Sequence, residues 1–185
     1  VMSWSKLGRS GLLGSAGLMV VLGAAAPAHA EGQILLNSRL RTELVDQDGL
    51  ANDATAITLR TRLGYQTAEH SGFTFLIEGE HVLHLVDDFN DTINGLAGYP
   101  VVADPEAAEL NRLQLAYTGI ADTSLTLGRQ RIILGDARHV GNVGFRQNEQ
   151  TFDAVLVSTT AIENLTLTYA YLDRVHRIFG DDSPA

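Results

Sequence analysis

Apolar and polar side chains alternate along most of this sequence with a period of two, which predicts half-buried β-strands and not helices. From Leu35 to Val45 one face carries Leu36, Ser38, Leu40, Thr42 and Leu44, and the other Asn37, Arg39, Arg41 and Glu43. Thr55 to Gln66 repeats the design, with Ile57, Leu59, Leu63 and Tyr65 opposed by Thr58, Arg60, Arg62 and Gln66. A third strand sets Phe73, Phe75, Ile77 and Leu83 against Thr74, Glu78, Glu80 and His84. Four more are predicted near Leu110 to Thr118, Ser124 to Leu134, Thr151 to Ser158 and Leu165 to Leu172. Strands of about ten residues match the length that crosses a bilayer at a tilt.

The connections alternate as well. Thr67 to Gly72, Gly119 to Thr123 and Thr160 to Asn164 are short, whereas Asp46 to Asp53, Leu85 to Glu109 and Gly135 to Gln150 are long and polar. Short turns at one end and long loops at the other predict an antiparallel transmembrane β-barrel of the outer-membrane type, with the short turns in the periplasm. Tyr65, Phe73 and Tyr117 then fall near the periplasmic strand ends, as part of an interfacial aromatic girdle. The competing all-β reading is a soluble periplasmic β-sandwich that binds sugars, in which the same aromatics are core.

Strand five conflicts with strict alternation. If Leu125 and Leu127 face lipid, Arg129 and Arg131 follow them, at a cost of roughly 2 to 4 kcal/mol each near the midplane. A β-bulge beside Gly128 is therefore expected, returning both arginines to the lumen.

Ahead of the strands, Lys6 and Arg9 precede a glycine- and alanine-rich apolar run from Gly11 to Ala26, followed by Pro27 and Ala28-His29-Ala30. A basic start, a short apolar centre and small residues two apart before Glu31 mark residues 1–30 as a signal peptide cleaved after Ala30. Export through the Sec pathway to a Gram-negative outer membrane is expected, with lipid and the barrel-assembly machinery as partners. No cysteine occurs, which removes disulfides and thiolate metal sites.

The formal net charge is −9, with 13 basic and 22 acidic residues. Every basic residue after the signal peptide is an arginine, and an acidic balance of this size argues against nucleic acid as a partner. Most of these arginines lie within the strands while the acids collect between them. Arg39, Arg41, Arg60, Arg62 and Arg112 share the polar faces of neighbouring strands, which lie under about 5 Å apart. A ladder of guanidinium forks matches the carboxylates of a polyanionic sugar acid. Glu43, Glu78 and Glu80 lie on the same surface, so the cluster reads equally as ordinary ion pairs holding a wall in shape.

Other constellations are weaker. Asp87, Asp88, Asn90 and Asp91 are rich in oxygen but lack the glycine-centred loop and closing glutamate of a calcium hand, which favours a solvated loop over a metal site. His81 and His84 alternate across a strand and cannot converge on one ion. No catalytic triad, nucleophile elbow or phosphate-binding glycine loop is present, so neither an enzyme nor a cofactor is expected.

Several segments carry a family likeness. Thr58–Tyr65 (TLRTRLGY), Glu109–Tyr117 (ELNRLQLAY), Leu125–Ile132 (LTLGRQRI) and Val140–Ala154 (VGNVGFRQNEQTFDA), with the loop pieces Phe89–Asp91 and Tyr99–Pro105, resemble the alginate-export family of outer-membrane proteins. The resemblance implies a monomeric 18-stranded barrel whose arginine-lined lumen passes alginate-like polyuronates by passive diffusion. It implies lumen roles for Arg39, Arg41, Arg60, Arg62, Arg112, Arg129 and Arg131. A porin for other small or anionic solutes is the alternative, since substrate transfers less safely than fold. His139 and Phe145 depart from the aromatics expected in relatives. Seven strands are well under half of such a barrel, and the chain ends at Ala185 without a terminal aromatic residue. Residues 31–185 are accordingly expected to be the amino-terminal part of the barrel domain.

Overall fold

The computed structural model describes residues 32–180, so the predicted signal peptide and the last five residues lie outside the description. Seven strands follow in chain order: β1 (Gln33–Val45), β2 (Ala54–Gln66), β3 (Phe73–Asp88), β4 (Ala107–Ile120), β5 (Thr123–Gln130), β6 (Thr151–Ile162) and β7 (Leu165–His176). They form one antiparallel sheet in sequential order. The sheet is open, with β1 and β7 each paired on one side.

All seven predicted strands form, because the period-two alternation needs only a pleated neighbour on either side to satisfy the backbone. The tight connections use residues suited to the left-handed region. Ala121-Asp122 and Glu163-Asn164 turn with φ of 55° at Asp122 and 60° at Asn164, a conformation that Asp and Asn tolerate better than most residues. Ser71 and Gly72 turn β2 into β3 with φ of 53° and 85°. A Cβ on Gly72 would meet the Gly119 backbone nitrogen at 2.8 Å, so the first two short turns pack directly against each other. Phe73 and Tyr117 close the same end, opposite each other in the register, with ring centroids 4.5 Å apart.

Burial is inverted relative to a water-soluble sheet. The apolar face is bare, with Ile34 71% and Leu63 59% exposed, while Arg60 and Arg62 on the polar face are 5% and 8% exposed. What covers the polar face is the chain's own long connections. Ala54 and Ala56 of β2 pack with Phe89 and Val102 of the second connection, and Phe152 and Ala154 of β6 pack with Ile132 of the third. Two small apolar clusters thus fasten the long connections over a charged surface.

Several strand boundaries differ from expectation, β6 and β7 each running four residues further, to Ile162 and His176, and those of β3 and β5 have local reasons. β3 runs on to Asp88, past the expected loop start at Leu85, because a bulge between Ile57 and Thr58 absorbs Leu85 and pairing resumes at Val86. β5 stops at Gln130, four residues earlier than expected. There the Gln130 amide donates to the carbonyls of Gly128 and Ala154, and Ile132 turns into the cluster with Phe152.

The bulge expected beside Gly128 is not formed. Register with β6 is unbroken from Thr123 to Gln130, and Gly128 pairs with Gln114 and Ala154. Arg129 therefore stays in the row of Leu113, on the apolar face. Its charge is met there by Asp153, at 3.0 Å from Nε. Arg131 needs no bulge, since it lies beyond the strand and its side chain joins Glu149.

Candidate functional site

The alternation of β1 and β2 places Arg39 directly opposite Arg60, with Asn37 opposite Arg62 and Arg41 opposite Thr58. Like charges directly opposite are destabilising, so the arrangement depends on what surrounds it. β3 supplies carboxylates in register: Glu80 stands opposite Arg62 and forms an ion pair with it. On the far side of β3, Arg112 grips Glu78 with two parallel bonds, Nε at 2.9 Å and Nη2 at 2.7 Å.

A bulge between Glu78 and Gly79 leaves Asn111 as the extra residue of β4. Both Asn111 and Arg112 consequently point toward Glu78, and the Asn111 amide reaches Glu78 and Glu149 at 2.8 Å each. Glu149 comes from the third long connection. Its carboxylate also accepts from Arg131 Nε at 2.7 Å and Asn142 Nδ2 at 2.8 Å, and lies 3.3 Å from Arg62. Burial pushes this carboxyl up, but the Arg131 hydrogen bond, the charges of Arg62 and Arg131 and the Asn111 hydrogen bond prevail and hold it down at about 2. Arg131 is shifted the other way: burial disfavours its charge, yet the bond and charge of Glu149 raise it above its usual value.

The second long connection contributes Asp104, fully buried, which accepts from Arg41 Nη1 at 2.6 Å and from the Gln147 backbone nitrogen at 2.8 Å. Arg146 lies 3.4 Å from Glu43, which is also paired with Arg41. Asp104 and Gln147 thereby tie the second and third connections to each other and to β1.

Between the polar face of the sheet and the third connection lies a cavity of about 360 Å³. Arg39, Arg60, Arg62, Arg112 and Arg131 line it with Glu78 and Glu149. Glu78 answers Arg112, Glu80 answers Arg62 and Glu149 answers Arg131. Arg39 and Arg60 have no carboxylate partner among the described residues. Arg39 donates to neutral oxygens of the third connection, Gln147 Oε1 and Gly144 O at 2.9 Å each and the Arg146 carbonyl. Arg60 donates to Asn37 Oδ1. Buried donors without a partner remain at Arg60 Nε and Arg62 Nη2. A buried guanidinium donor left open is costly, and a small cavity with two cations in excess suits an oxyanion.

Of the residues singled out in the sequence, Arg39, Arg60, Arg62, Glu78, Arg112 and Arg131 meet at the cavity. Glu80 stands behind it on Arg62, and Arg41 and Glu43 form the neighbouring network with Asp104. Arg129 is on the other face, a correction to its expected place. Asn111, Asn142, Gln147, Glu149 and Asp104 were not anticipated; two of them lie in the uncharged-to-acidic polar run Gln147-Asn148-Glu149, which is all but fully buried. The oxygen-rich stretch 87–91, expected as a solvated loop, is the end of β3 followed by a turn. Asp91 Oδ1 accepts from the backbone nitrogens of Ile93 and Asn94 at 2.8 and 2.7 Å, which makes it a turn former, and Asp87 and Asp88 are exposed. Among the described residues no group of His, Asp or Glu is arranged to hold a metal ion.

Comparison of the chain with known family models, with curated proteins and with solved structures found no match in any of the three.

Proposed function

We propose that this sheet is part of the wall of an outer-membrane β-barrel channel that lets anionic saccharides, such as alginate-like polyuronates, diffuse passively through an arginine-lined lumen. The observation that carries the reading is the pair Arg39 and Arg60, a half-buried and a buried cation on the polar face without a carboxylate partner among the described residues, beside open guanidinium donors. The inverted burial supports it, since a bare apolar face suits lipid and a charged, loop-covered face suits a solvent-filled passage. The signal-peptide pattern of residues 1–30 and the alternation of short and long connections agree with that placement.

In this reading β1 and β7 pair with further strands, because hydrocarbon leaves no open sheet edge unsatisfied. The site holds substrate by charge and hydrogen bonding alone and performs no reaction on it. Planar-bilayer recording of the protein purified from outer membranes tests the proposal. Anion selectivity under a salt gradient, with block by an oligouronate and weaker block by a neutral oligosaccharide of the same length, is the expected result. Cation selectivity, or recovery of the protein in the soluble periplasmic fraction, would exclude it; the latter outcome would favour a periplasmic sugar-binding protein instead.

A further inference from the structure

We propose that the apolar face of the sheet carries a binding site for the phosphomonoester headgroup of a membrane lipid, built on Arg129, Asp153, Arg174 and His176. The inference rests on the membrane reading above.

The register Leu113–Arg129, Arg129–Asp153 and Asp153–Arg174 places these residues in one row across β4 to β7. The next two rows toward the short turns, Leu115–Leu127–Val155–Tyr171 and Tyr117–Leu125–Val157–Tyr169, are free of charge. On β5, β6 and β7 the charged row lies near the end away from the short turns, where β5 runs out into the third long connection, while on β4 Leu113 is central. A charge on a lipid-facing surface is costly at the bilayer midplane and nearly free at the headgroup level, so this row belongs at the headgroups.

Within the row the charges do not balance. Asp153 is taken up by Arg129, with Nε at 3.0 Å and Nη2 at 3.4 Å, and by His176 Nε2 at 2.8 Å. Arg129 Nη1 is spent on the Leu110 carbonyl at 2.9 Å. Arg174, opposite Asp153, is exposed and has no ion-pair partner among the described residues. Asp173 is the extra residue of the bulge between Asp153 and Ala154 and has no register partner. Among the described residues the row therefore offers one guanidinium fork without an ion-pair partner beside an engaged ion pair, with an imidazole next to it. A phosphomonoester presents several oxygens to such a fork and is bound bidentately. Its acyl chains would lie along Leu127, Val155 and Tyr171, which a free phosphate ion cannot do.

The test uses the protein isolated in detergent from outer membranes and exchanged into mixed micelles with either phosphatidic acid or phosphatidylcholine. Native mass spectrometry should find phosphatidic acid retained at least about fivefold over phosphatidylcholine. Arg174→Gln, which leaves the Arg129–Asp153 pair intact, should abolish that excess, whereas Arg138→Gln in the third connection should not. Equal retention by the wild type and Arg174→Gln overturns the proposal, and so does displacement of the lipid by inorganic phosphate alone. Anion selectivity of the channel is read separately, so a lost lipid preference with intact selectivity removes only this site. A protein that never enters micelles or membranes removes this site and the channel reading together.

Discussion

Arg39 and Arg60 stand opposite each other on neighbouring strands, and each is answered by neutral oxygens where a carboxylate would be expected. Every other arginine at the cavity has a glutamate partner. The excess positive charge is thus local, in a chain whose formal charge is −9.

Reversal of these two charges is the cleanest test of selectivity. If the proposed channel is right, the double variant Arg39→Glu, Arg60→Glu should lower its anion-to-cation permeability ratio by roughly an order of magnitude, since Coulomb interactions are several-fold stronger in a narrow, partly dry passage than in bulk water. Reversal potentials under a salt gradient measure this, and the difference should shrink at high salt. Reversing Arg62 or Arg112 is a poorer test, because it strands the buried Glu80 or Glu78 and mixes selectivity with folding.

Glu149→Gln should loosen the third long connection while leaving the sheet in place. The substitution removes the carboxylate shared by Arg131 and Arg62. Breaking a buried pair costs about 3–5 kcal/mol, and the lower end applies here because Arg131 keeps some solvent contact. Limited proteolysis should then cut near the exposed Phe145 at least about tenfold faster than in the wild type. An unchanged cleavage rate would mean that the two apolar clusters alone hold the connection down.

The same carboxyl predicts an acid limit. Its ordinary value is 4.5 and its value in the folded protein about 2. A depressed pKa adds stability that is fully present above pH 4.5 and is lost as the pH falls through 2, a contribution of roughly 3 kcal/mol. The third connection should stay docked at pH 5 and release progressively between pH 4.5 and 2, as read from a fluorescent label at position 145. In Glu149→Gln that acid transition should be absent.

Gly128→Ala should cost about 1–3 kcal/mol, through strain at a backbone position that L side chains rarely adopt. Gly128 has a φ of 108°, and a Cβ there would meet the Leu113 carbonyl oxygen at 2.3 Å. Gly49→Ala shares the positive φ, at 89°, but has open space around it. Thermal unfolding midpoints should therefore drop further for position 128 than for position 49.

The strands, their faces and the alternation of short and long connections were legible in the sequence because they depend on neighbours two residues apart. Arg39, Arg41, Arg60, Arg62 and Arg112 were placed on the polar faces by that rule alone. Pairing was not legible, because it depends on residues far apart in the chain: Arg39 meets Gln147 across 108 positions and Arg112 meets Glu78 across 34. Nor could the sequence by itself tell a bare ladder of arginines from a set of ion pairs. That was decided by tertiary structure, in which two small apolar clusters draw the long connections over the polar face and bring Asp104 and Glu149 onto the sheet. Arg129 shows the same limit from the other side. A bulge was expected from the cost of an arginine in lipid, but none forms, and Arg129 is met instead by Asp153 of β6, itself bonded to His176 of β7.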